Sequence, residues 1–464
     1  MAETPPVIVI GAGLAGLAAA HTLAKAGVRS LVLESSDSVG GRVRTDSVDG
    51  FLLDRGFQVL QTAYPEYQAL NLGTLDLCPF YPGAVVWWDG RFHRVSDPFR
   101  RPWDALVSVV SPIGSWADKA RVACVRHRAL SGSMDQLWER PECSTNEFLK
   151  RHGFSDVMVD RFFRPFLGGI FLESGLRTSS RQFEFVFRMM AQGATVVPKA
   201  GMGAIPRHLV KQIPDGWMEL RLGRAVVELQ RGFDGGVTGV QLADGTVCKS
   251  NQVVLAVEAP SAARLLKLPM TPRSRSVCTW YFTAPARPHP DPVLHLNGSG
   301  TGPVNHAVWM NEVSPGYAPP GQGLLSATVL GDGKIPEADI RMQMSQWFGT
   351  EPTYWRHLRT YSISHAQPEP GELERSIPGG FRGGCPGCAL PEMPGEKSPL
   401  MVPSSRVERQ PSRFWSPASR EVSPIGSLML PEGNRSWRGG PDLLPCLHVR
   451  EATRTDSTGD AGTV

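Results

Sequence analysis

The sequence predicts an α/β fold, in which a doubly wound parallel sheet carries an inserted α+β domain. An apolar strand near Val7–Ile10 runs directly into Gly11-Ala12-Gly13, and an apolar helix pattern follows. A second apolar strand then ends at Glu34. From about residue 103 to residue 190 the pattern becomes helical before strands return, which indicates an insertion into the first domain.

The turn after the first strand has the spacing of a dinucleotide-binding site. In such a turn Gly11 permits the sharp bend, Gly13 lets the backbone approach the phosphates, and Gly16 lets the helix pack closely. The helix N-terminus then presents backbone N–H groups to a pyrophosphate. Glu34 can accept the hydroxyl protons of the adenosine ribose. We predict that these four residues and Ala15 bind the adenosine half of a dinucleotide.

A second glycine element follows Glu34. It comprises Gly40-Gly41-Arg42 and, further on, Gly56 and Gln58. These residues resemble the flavin-containing amine oxidase superfamily, which includes monoamine oxidases, protoporphyrinogen oxidases and phytoene desaturases. The resemblance implies that FAD is the cofactor, that Gly41 and Arg42 continue along it with the arginine near the pyrophosphate, and that Gly56 and Gln58 contact it.

Two later segments carry the same resemblance. Gly201 and Met202 match a segment in which the chain returns to the cofactor domain beside the flavin ring. Val226 matches a residue that contacts the adenine through its backbone, although it fits equally well as plain sheet core. Lys199 lies in the flavin-proximal segment, but a lysine on a loop is usually a solvated charge, so we assign no catalytic residue.

The inserted domain is rich in phenylalanine. Seven phenylalanines fall between residues 161 and 187. They could line a tunnel for a long apolar substrate, but packing of the helical core is the favoured interpretation. Together with Thr178-Ser179-Ser180-Arg181, this segment makes the resemblance closest to phytoene-desaturase-like members.

The remaining patterns predict the order of elements and domains. A hairpin is predicted with its turn at Asp89-Gly90, strands at Leu220–Leu229 and Gly236–Leu242, and a sheet that includes Cys278–Phe282 and Leu324–Leu330. The predicted division is an FAD-binding domain at 1–85 and 193–272, a helical substrate domain at 86–192, a substrate-domain sheet at 273–370, and an irregular or disordered tail at 371–464.

The predicted tail departs from the superfamily. Residues 371–464 hold 12 Pro and 13 Gly, and we expect no sustained strand or helix there. The strand, Gly-Asp pair and helix with which related proteins finish are not recognisable. A reading-frame or splice change that replaced this flavin-binding lobe is favoured over a genuine extension. Either account predicts a cofactor site that lacks one wall.

Composition excludes several classes of function. The chain has 464 residues, a formal net charge of +4 and no long basic run, so we expect no nucleic-acid partner. No apolar run reaches the roughly 18 residues that suggest a transmembrane helix. Eight cysteines are scattered, and only Cys385 and Cys388 are close, which indicates reduced thiols. We predict no metal site.

Three hypotheses for function remain open. The leading one is an FAD-dependent oxidoreductase that takes a hydride from a small apolar, polyene-like substrate or an amine and passes electrons to oxygen or a quinone. The second is a truncated or inactive family member with weak FAD binding, and the third is an NAD-linked dehydrogenase. We expect a cytoplasmic protein with peripheral membrane contact allowed, or a plastid protein if a leader precedes this sequence.

Overall fold

The computed structural model describes residues 6–104, 111–233, 235–268, 273–284, 291–349, 354–369 and 400–402. The strands in these residues are β1 Val7–Ile10, β2 Ser30–Leu33, β3 Thr45–Val48, β4 Phe51–Asp54, β5 Leu60–Gln61, β6 Leu77–Pro79, β7 Gly83–Trp88, β8 Arg91–Ser96, β9 Thr195–Pro198, β10 Met218–Arg221, β11 Val226–Arg231, β12 Val237–Leu242, β13 Val247–Lys249, β14 Val253–Leu255, β15 Ser274–Ala284, β16 Leu294–Asn297, β17 Val304–Trp309, β18 Gly323–Leu330, β19 Arg356–Pro368 and β20 Leu400–Val402.

Helices surround these strands and fill much of the stretch between β8 and β9. In chain order they are α1 Leu14–Lys25, α2 Pro65–Ala69, α3 Trp116–Leu130, α4 Met134–Trp138, α5 Thr145–Arg151, α6 Asp156–Met158, α7 Arg164–Phe171, α8 Ser180–Gln192, α9 Ala204–Gln212, α10 Ala259–Leu265, α11 Met310–Val313 and α12 Glu337–Phe348. A π-helical turn, Val159–Phe163, joins α6 to α7, and 3-10 turns lie at Leu72–Thr74 and Pro315–Tyr317.

A parallel sheet forms the first layer, as predicted. Its strand order is β10-β2-β1-β14-β20, and the first four strands are parallel. Both faces are covered, as near-continuous apolar strands require. On one face, Val9 of β1 packs in a cluster with Leu17 of α1 and Leu209 of α9. On the other, Ile8 packs in a cluster with Val240 of the antiparallel sheet β11-β12-β13.

The predicted single strand Leu220–Leu229 is wrong, because the structure divides it in two. β10 extends the parallel sheet beside β2, whereas β11 pairs with β12 in the antiparallel sheet. Gly223, between them, has φ +66°, a backbone conformation that favours glycine and breaks the extended chain. The chain therefore passes from the edge of one sheet to the start of the next.

A seven-stranded sheet forms the floor of the second part of the structure. Its order is β19-β15-β18-β17-β16-β7-β8. The hairpin at Asp89-Gly90 is present, and its strands β7 and β8 pair directly. β7 also pairs with β16 in parallel, so strands from distant parts of the chain share one sheet.

Residues 86–96 complete β7 and form β8, and this hairpin joins the large sheet. In the C-terminal segment, for which no sustained strand is expected, the three residues Leu400–Val402 form β20, antiparallel to β14. The other residues of 371–464 lie outside the described residues, as do Cys385 and Cys388.

Candidate functional site

The glycine turn between β1 and α1 forms a tight backbone cradle. Gly11 has φ +100°, and a Cβ added there would lie 2.6 Å from the Ala256 carbonyl oxygen. A Cβ at Gly16 would lie 1.9 Å from the Gly11 carbonyl oxygen, so the helix can pack on the turn only with glycine there. The protein's own packing therefore requires both glycines.

Gly13 differs from its neighbours in this turn. A Cβ added there meets nothing within 4 Å, and its backbone is extended, with φ −69° and ψ 179°. The protein itself therefore does not require glycine at this position. The open space is what a phosphate that approaches the backbone closely would need.

The N-terminus of α1 faces the same space. Gly13 is its N-cap and supplies no side-chain cap, and the first turn contains no acidic residue. The first-turn N–H groups, in the turn that holds Ala15, thus have neither a cap nor a competing carboxylate. Backbone donors and a helix dipole at one point fit the pyrophosphate of FAD, and the contact of Ala15 with the cofactor stays a prediction.

Glu34 does more than the sequence predicted. Its Oε2 accepts the N–H of Ala12 at 2.7 Å. Its Oε1 accepts the N–H of Ser36 at 2.9 Å and the Ser36 hydroxyl at 2.7 Å. The carboxylate thus ties the end of β2 to the glycine turn. A ribose hydroxyl would have to share this carboxylate with Ser36, and the ribose contact stays a prediction.

The second glycine element lies against the first. Gly40 donates its N–H to the Ala12 carbonyl at 2.8 Å, and a Cβ at Gly41 would lie 3.4 Å from the Gly13 Cα. Arg42 donates to the Ala366 carbonyl at 2.6 Å, and Gln58 donates to the Arg42 carbonyl at 2.9 Å. The two glycine elements, which are separated along the sequence, therefore form one continuous surface.

The segment before Val226 lies beside the end of β2. Arg224 donates its N–H to the Glu34 carbonyl at 2.7 Å, and Gly223 donates to the Ser36 carbonyl at 2.9 Å. Val226 itself is the first residue of β11. This position is compatible with the predicted adenine contact, which remains a prediction.

Asp54 is the buried centre of the site, and sequence reasoning gave it no role of its own. Its carboxylate accepts the Thr45 hydroxyl at 2.5 Å, the Met202 N–H at 3.0 Å and the Tyr317 hydroxyl at 2.7 Å. The Tyr281 hydroxyl donates to the Asp54 backbone carbonyl at 2.9 Å. The carboxylate of Asp54 therefore joins the cofactor segments to the turn that follows α11, and its backbone carbonyl joins them to the large sheet.

Burial dominates the titration of this network. It raises the pKa of the Asp54 carboxyl to about 6, against the opposing effect of the Thr45, Tyr317 and Met202 hydrogen bonds. Burial also raises the pKa of Tyr281 and Tyr317 well above the usual range, and the nearby Asp54 carboxylate adds to the shift. Both phenols therefore stay protonated and remain hydrogen-bond donors.

The predicted segment Gly201-Met202 packs on the same network. Gly201 has φ +79°, and a Cβ there would lie 2.5 Å from the Thr45 side chain. The predicted place of this glycine beside the flavin ring stays a prediction. The structure provides a reason within the protein, since Thr45 occupies the space that a side chain would need.

A cavity of about 500 Å³ adjoins these segments. Its wall combines the predicted cofactor residues Arg42, Gly56, Gln58 and Met202 with residues of the large sheet and the helical region. Gly56 has φ +90°, and a Cβ there would lie 2.8 Å from Ile363 of β19. The cavity therefore lies where the cofactor segments and the sheet meet.

The phenylalanine-rich segment serves both of the purposes considered. Phe163, Phe171 and Phe183 are fully buried in the helical core. Phe162, Phe166 and Phe187 line the cavity, and Phe163 contributes to both. Phe162 stacks on Phe166 with ring centroids 5.3 Å apart. The π-helical turn with α7 and the helix α8 thus each supply phenylalanines to both the helical core and the cavity wall.

Several expected or missed groups can be placed. Lys199 pairs with Asp76 at 3.5 Å and is not among the cavity-lining residues. His306 and Thr328 line the cavity, although no sequence signal distinguished either from ordinary strand residues.

Within the described part of the chain, no group of three or more His, Cys, Asp or Glu residues could hold a metal. No helix described here is long and apolar enough to cross a bilayer.

The fold and the cradle define a dinucleotide-binding protein with an adjoining apolar cavity. Comparison with known proteins identifies its family: the family model for flavin containing amine oxidoreductase matches residues 14–379. The chain therefore belongs to the flavin-containing amine oxidoreductase family. Membership confirms the predicted family, flavin cofactor and oxidoreductase class, and it argues against the NAD-linked hypothesis.

Individual relatives agree with this assignment. The chain is 25% identical over 330 residues to coproporphyrinogen III oxidase of Propionibacterium freudenreichii subsp. freudenreichii, with 58% of this chain and 60% of that protein covered. It is 29% identical over 168 residues to the 15-cis-phytoene desaturase of Narcissus pseudonarcissus, with 34% of this chain and 30% of that protein covered. The chain thus spans less than two thirds of the length of each relative.

Solved structures confirm the predicted fold class. The crystal structure of an oxidoreductase from Methanosarcina mazei superposes with a TM-score of 0.62 at 20% identity, covering 76% of this chain and 87% of that one. At this identity the likeness establishes the fold alone.

The open space at Gly13 generates a first testable prediction. In Gly13→Val the added Cβ meets no protein atom within 4 Å, and the side chain occupies the predicted approach of the phosphates. We expect the variant to fold, with an apo melting temperature within about 2 °C of wild type, and to bind FAD roughly 100-fold more weakly. Thermal unfolding and flavin titration measure the two quantities. Unchanged FAD affinity in the folded variant would contradict the site.

The buried Asp54 carboxyl generates a second prediction. Its pKa of about 6 in the fold exceeds the ordinary value of about 3.9, so the folded state binds the proton more tightly. Its contribution to stability is therefore full below pH 3.9 and lost as the pH rises through about 6. Asp54→Asn cannot titrate. Between pH 4 and 7 the wild-type melting temperature should fall relative to the variant by roughly 2–5 °C.

Exposed Asp160, which pairs with Arg164, provides the matched control. Asp160→Asn should show the wild-type dependence on pH, because its carboxylate is largely solvated. A constant difference between wild type and Asp54→Asn across this pH range would show that Asp54 does not titrate there.

Proposed function

We propose that this chain is an FAD-dependent oxidoreductase that takes a hydride from an apolar substrate held in the cavity. The observation that carries the proposal is the wall shared by the cavity and the predicted cofactor segments at Gly56, Gln58 and Met202. FAD supplies the hydride acceptor when bound. The residues of the chain bind the substrate, orient it and exclude water from the cavity.

The lining of the cavity favours an apolar substrate. Phe162, Phe166 and Ile170 of the helical region line it together with Val277 and Ile363 of the large sheet. Such a surface gains free energy from buried apolar area at roughly 25 cal/mol per Å². It also keeps water from the space where an oxidisable carbon would lie. A polyene-like molecule matches these requirements.

The charges around the cavity disfavour a cationic amine. Among the described lining residues Asp97 is the one carboxylate, and Arg100 lies 3.7 Å from it. Arg42, Arg100 and Arg126 also line the cavity. An ammonium group would therefore lack an available carboxylate and would be repelled by three guanidinium groups.

The relatives are named for different substrates and do not identify the substrate of this chain. One is a phytoene desaturase and another a coproporphyrinogen III oxidase. Oxygen or a quinone remains our proposal for the electron acceptor. No contact among the described residues favours the hypothesis of an inactive family member. The experiments below test that hypothesis.

Anaerobic mixing tests the proposed function. FAD-loaded chain should lose its visible flavin absorbance with phytoene in detergent micelles and not with putrescine. Ile170→Asn, which places an amide in the cavity lining, should slow this bleaching by roughly 10-fold because an unpaired polar group then lies against apolar substrate.

Phe233→Ser is the matched control, because Phe233 is fully exposed in the turn between β11 and β12. It should bleach at the wild-type rate. Bleaching by putrescine alone would contradict the apolar-substrate proposal, and a flavin that no donor reduces would favour the inactive-member hypothesis.

A further inference from the structure

Two polar side chains lie side by side on the floor of the apolar cavity. His306 of β17 is directly opposite Thr328 of β18, and Thr328 is opposite Thr279 of β15. Directly opposed residues of an antiparallel pair project to the same face of the sheet. His306 and Thr328 both line the cavity, whereas Thr279 accepts the Phe57 N–H at 3.3 Å.

Both side chains are buried without a complete set of hydrogen bonds. His306 is 3% exposed and Thr328 is 2% exposed. Neither His306 Nε2 nor Thr328 Oγ1 has a hydrogen-bond partner among the described residues. An unsatisfied buried polar group destabilises the fold, so such groups usually have a ligand or a functional reason.

The neighbours of His306 determine which ring nitrogen carries the proton. The Asn305 amide nitrogen donates to the Pro165 carbonyl at 2.8 Å, and a carbonyl can only accept, which fixes the orientation of the amide. The same nitrogen lies 3.0 Å from His306 Nδ1. Since an amide nitrogen is a donor, Nδ1 must accept. The proton of the neutral ring is therefore on Nε2, the atom without a partner.

The ring is held neutral and in a fixed position. Burial lowers the pKa of His306 to about 4, so the imidazole carries no charge near neutral pH. The Phe57 ring lies 5.2 Å from it, and a Cβ at Gly169 of α7 would lie 2.8 Å from Nδ1. The close helix and the aromatic ring leave His306 little freedom to turn.

We propose that His306 Nε2–H and the Thr328 hydroxyl bind a neutral acceptor oxygen, a carbonyl or hydroxyl carried by the otherwise apolar substrate. The proposal rests on the proposed function and adds to it a preference for apolar molecules that carry such an oxygen. A neutral donor in an apolar wall recognises such an oxygen without the desolvation cost of a charge. The same chemistry could come from a flavin carbonyl, so the experiment must separate the two sources.

The test measures ligand binding to the FAD-loaded full chain. Diphenylhexatriene, a fluorescent polyene without heteroatoms, reports occupancy of the cavity, and 2-undecanone and undecane compete with it. His306→Phe keeps a flat ring but removes the donor. We expect this variant to weaken the binding of 2-undecanone about 10-fold and to change the affinity for undecane by less than about 2-fold.

A second variant guards against misfolding of the first. Thr328→Val keeps the shape of the side chain and removes its hydroxyl. It should weaken the binding of 2-undecanone about 3-fold. Buried His295 lies on the neighbouring strand β16 and is not among the cavity-lining residues. His295→Phe is the matched control and should leave both affinities unchanged.

The outcomes separate the two claims. Equal effects of His306→Phe and Thr328→Val on 2-undecanone and undecane would overturn the proposed oxygen site and leave an apolar cavity. A weaker FAD affinity or a shifted flavin band in His306→Phe, with the ketone unaffected, would assign the donor to flavin and also overturn it. Failure of every probe to bind wild type would overturn the proposed function itself.

Discussion

The structure of the site depends on one buried carboxylate, that of Asp54. It accepts hydrogen bonds from Thr45, Met202 and Tyr317, which belong to three separate parts of the chain. Burying a carboxylate is costly, and this cost is offset only while all three donors are in place. The segment that contains Met202 is thereby held against the strand that leads to Gly56. The position of the cavity wall follows from this contact.

The cofactor cradle and the cavity share elements. The glycine turn packs on Gly40 and Gly41, and the chain continues through Arg42 to the wall that holds Gly56 and Gln58. The large sheet completes that wall from below. Because strands from distant parts of the chain build this sheet, the cavity forms only when the strands between residues 83 and 368 have come together. An apolar ligand at the centre would lie against the predicted cofactor segments on one side and phenylalanines on the other.

The local features of the site could be predicted from sequence, and the long-range ones could not. Strand, glycine turn, helix and Glu34 follow one another within a short stretch, so spacing alone indicated the cradle. The hydrogen-bond partners Met202 and Tyr317 of Asp54 lie far from it along the chain, and no local sequence pattern predicts them. The break at Gly223 depended on which sheet each strand joined. The position of His306 in the cavity wall could not be predicted, because it depends on contacts with Asn305, Phe57 and Thr328 that only the fold creates. The predicted domain boundaries and the individual flavin contacts stay predictions.

We expect this chain, with its own C-terminal residues, to hold FAD in the cradle at Gly13. The most direct measurement is the visible absorbance of the purified full chain after incubation with FAD and desalting, followed by denaturation to count released flavin. We expect about one FAD per chain, as a resident cofactor requires. Absence of bound flavin even after incubation with excess FAD would contradict the account and identify the chain as a member of the family that has lost its cofactor.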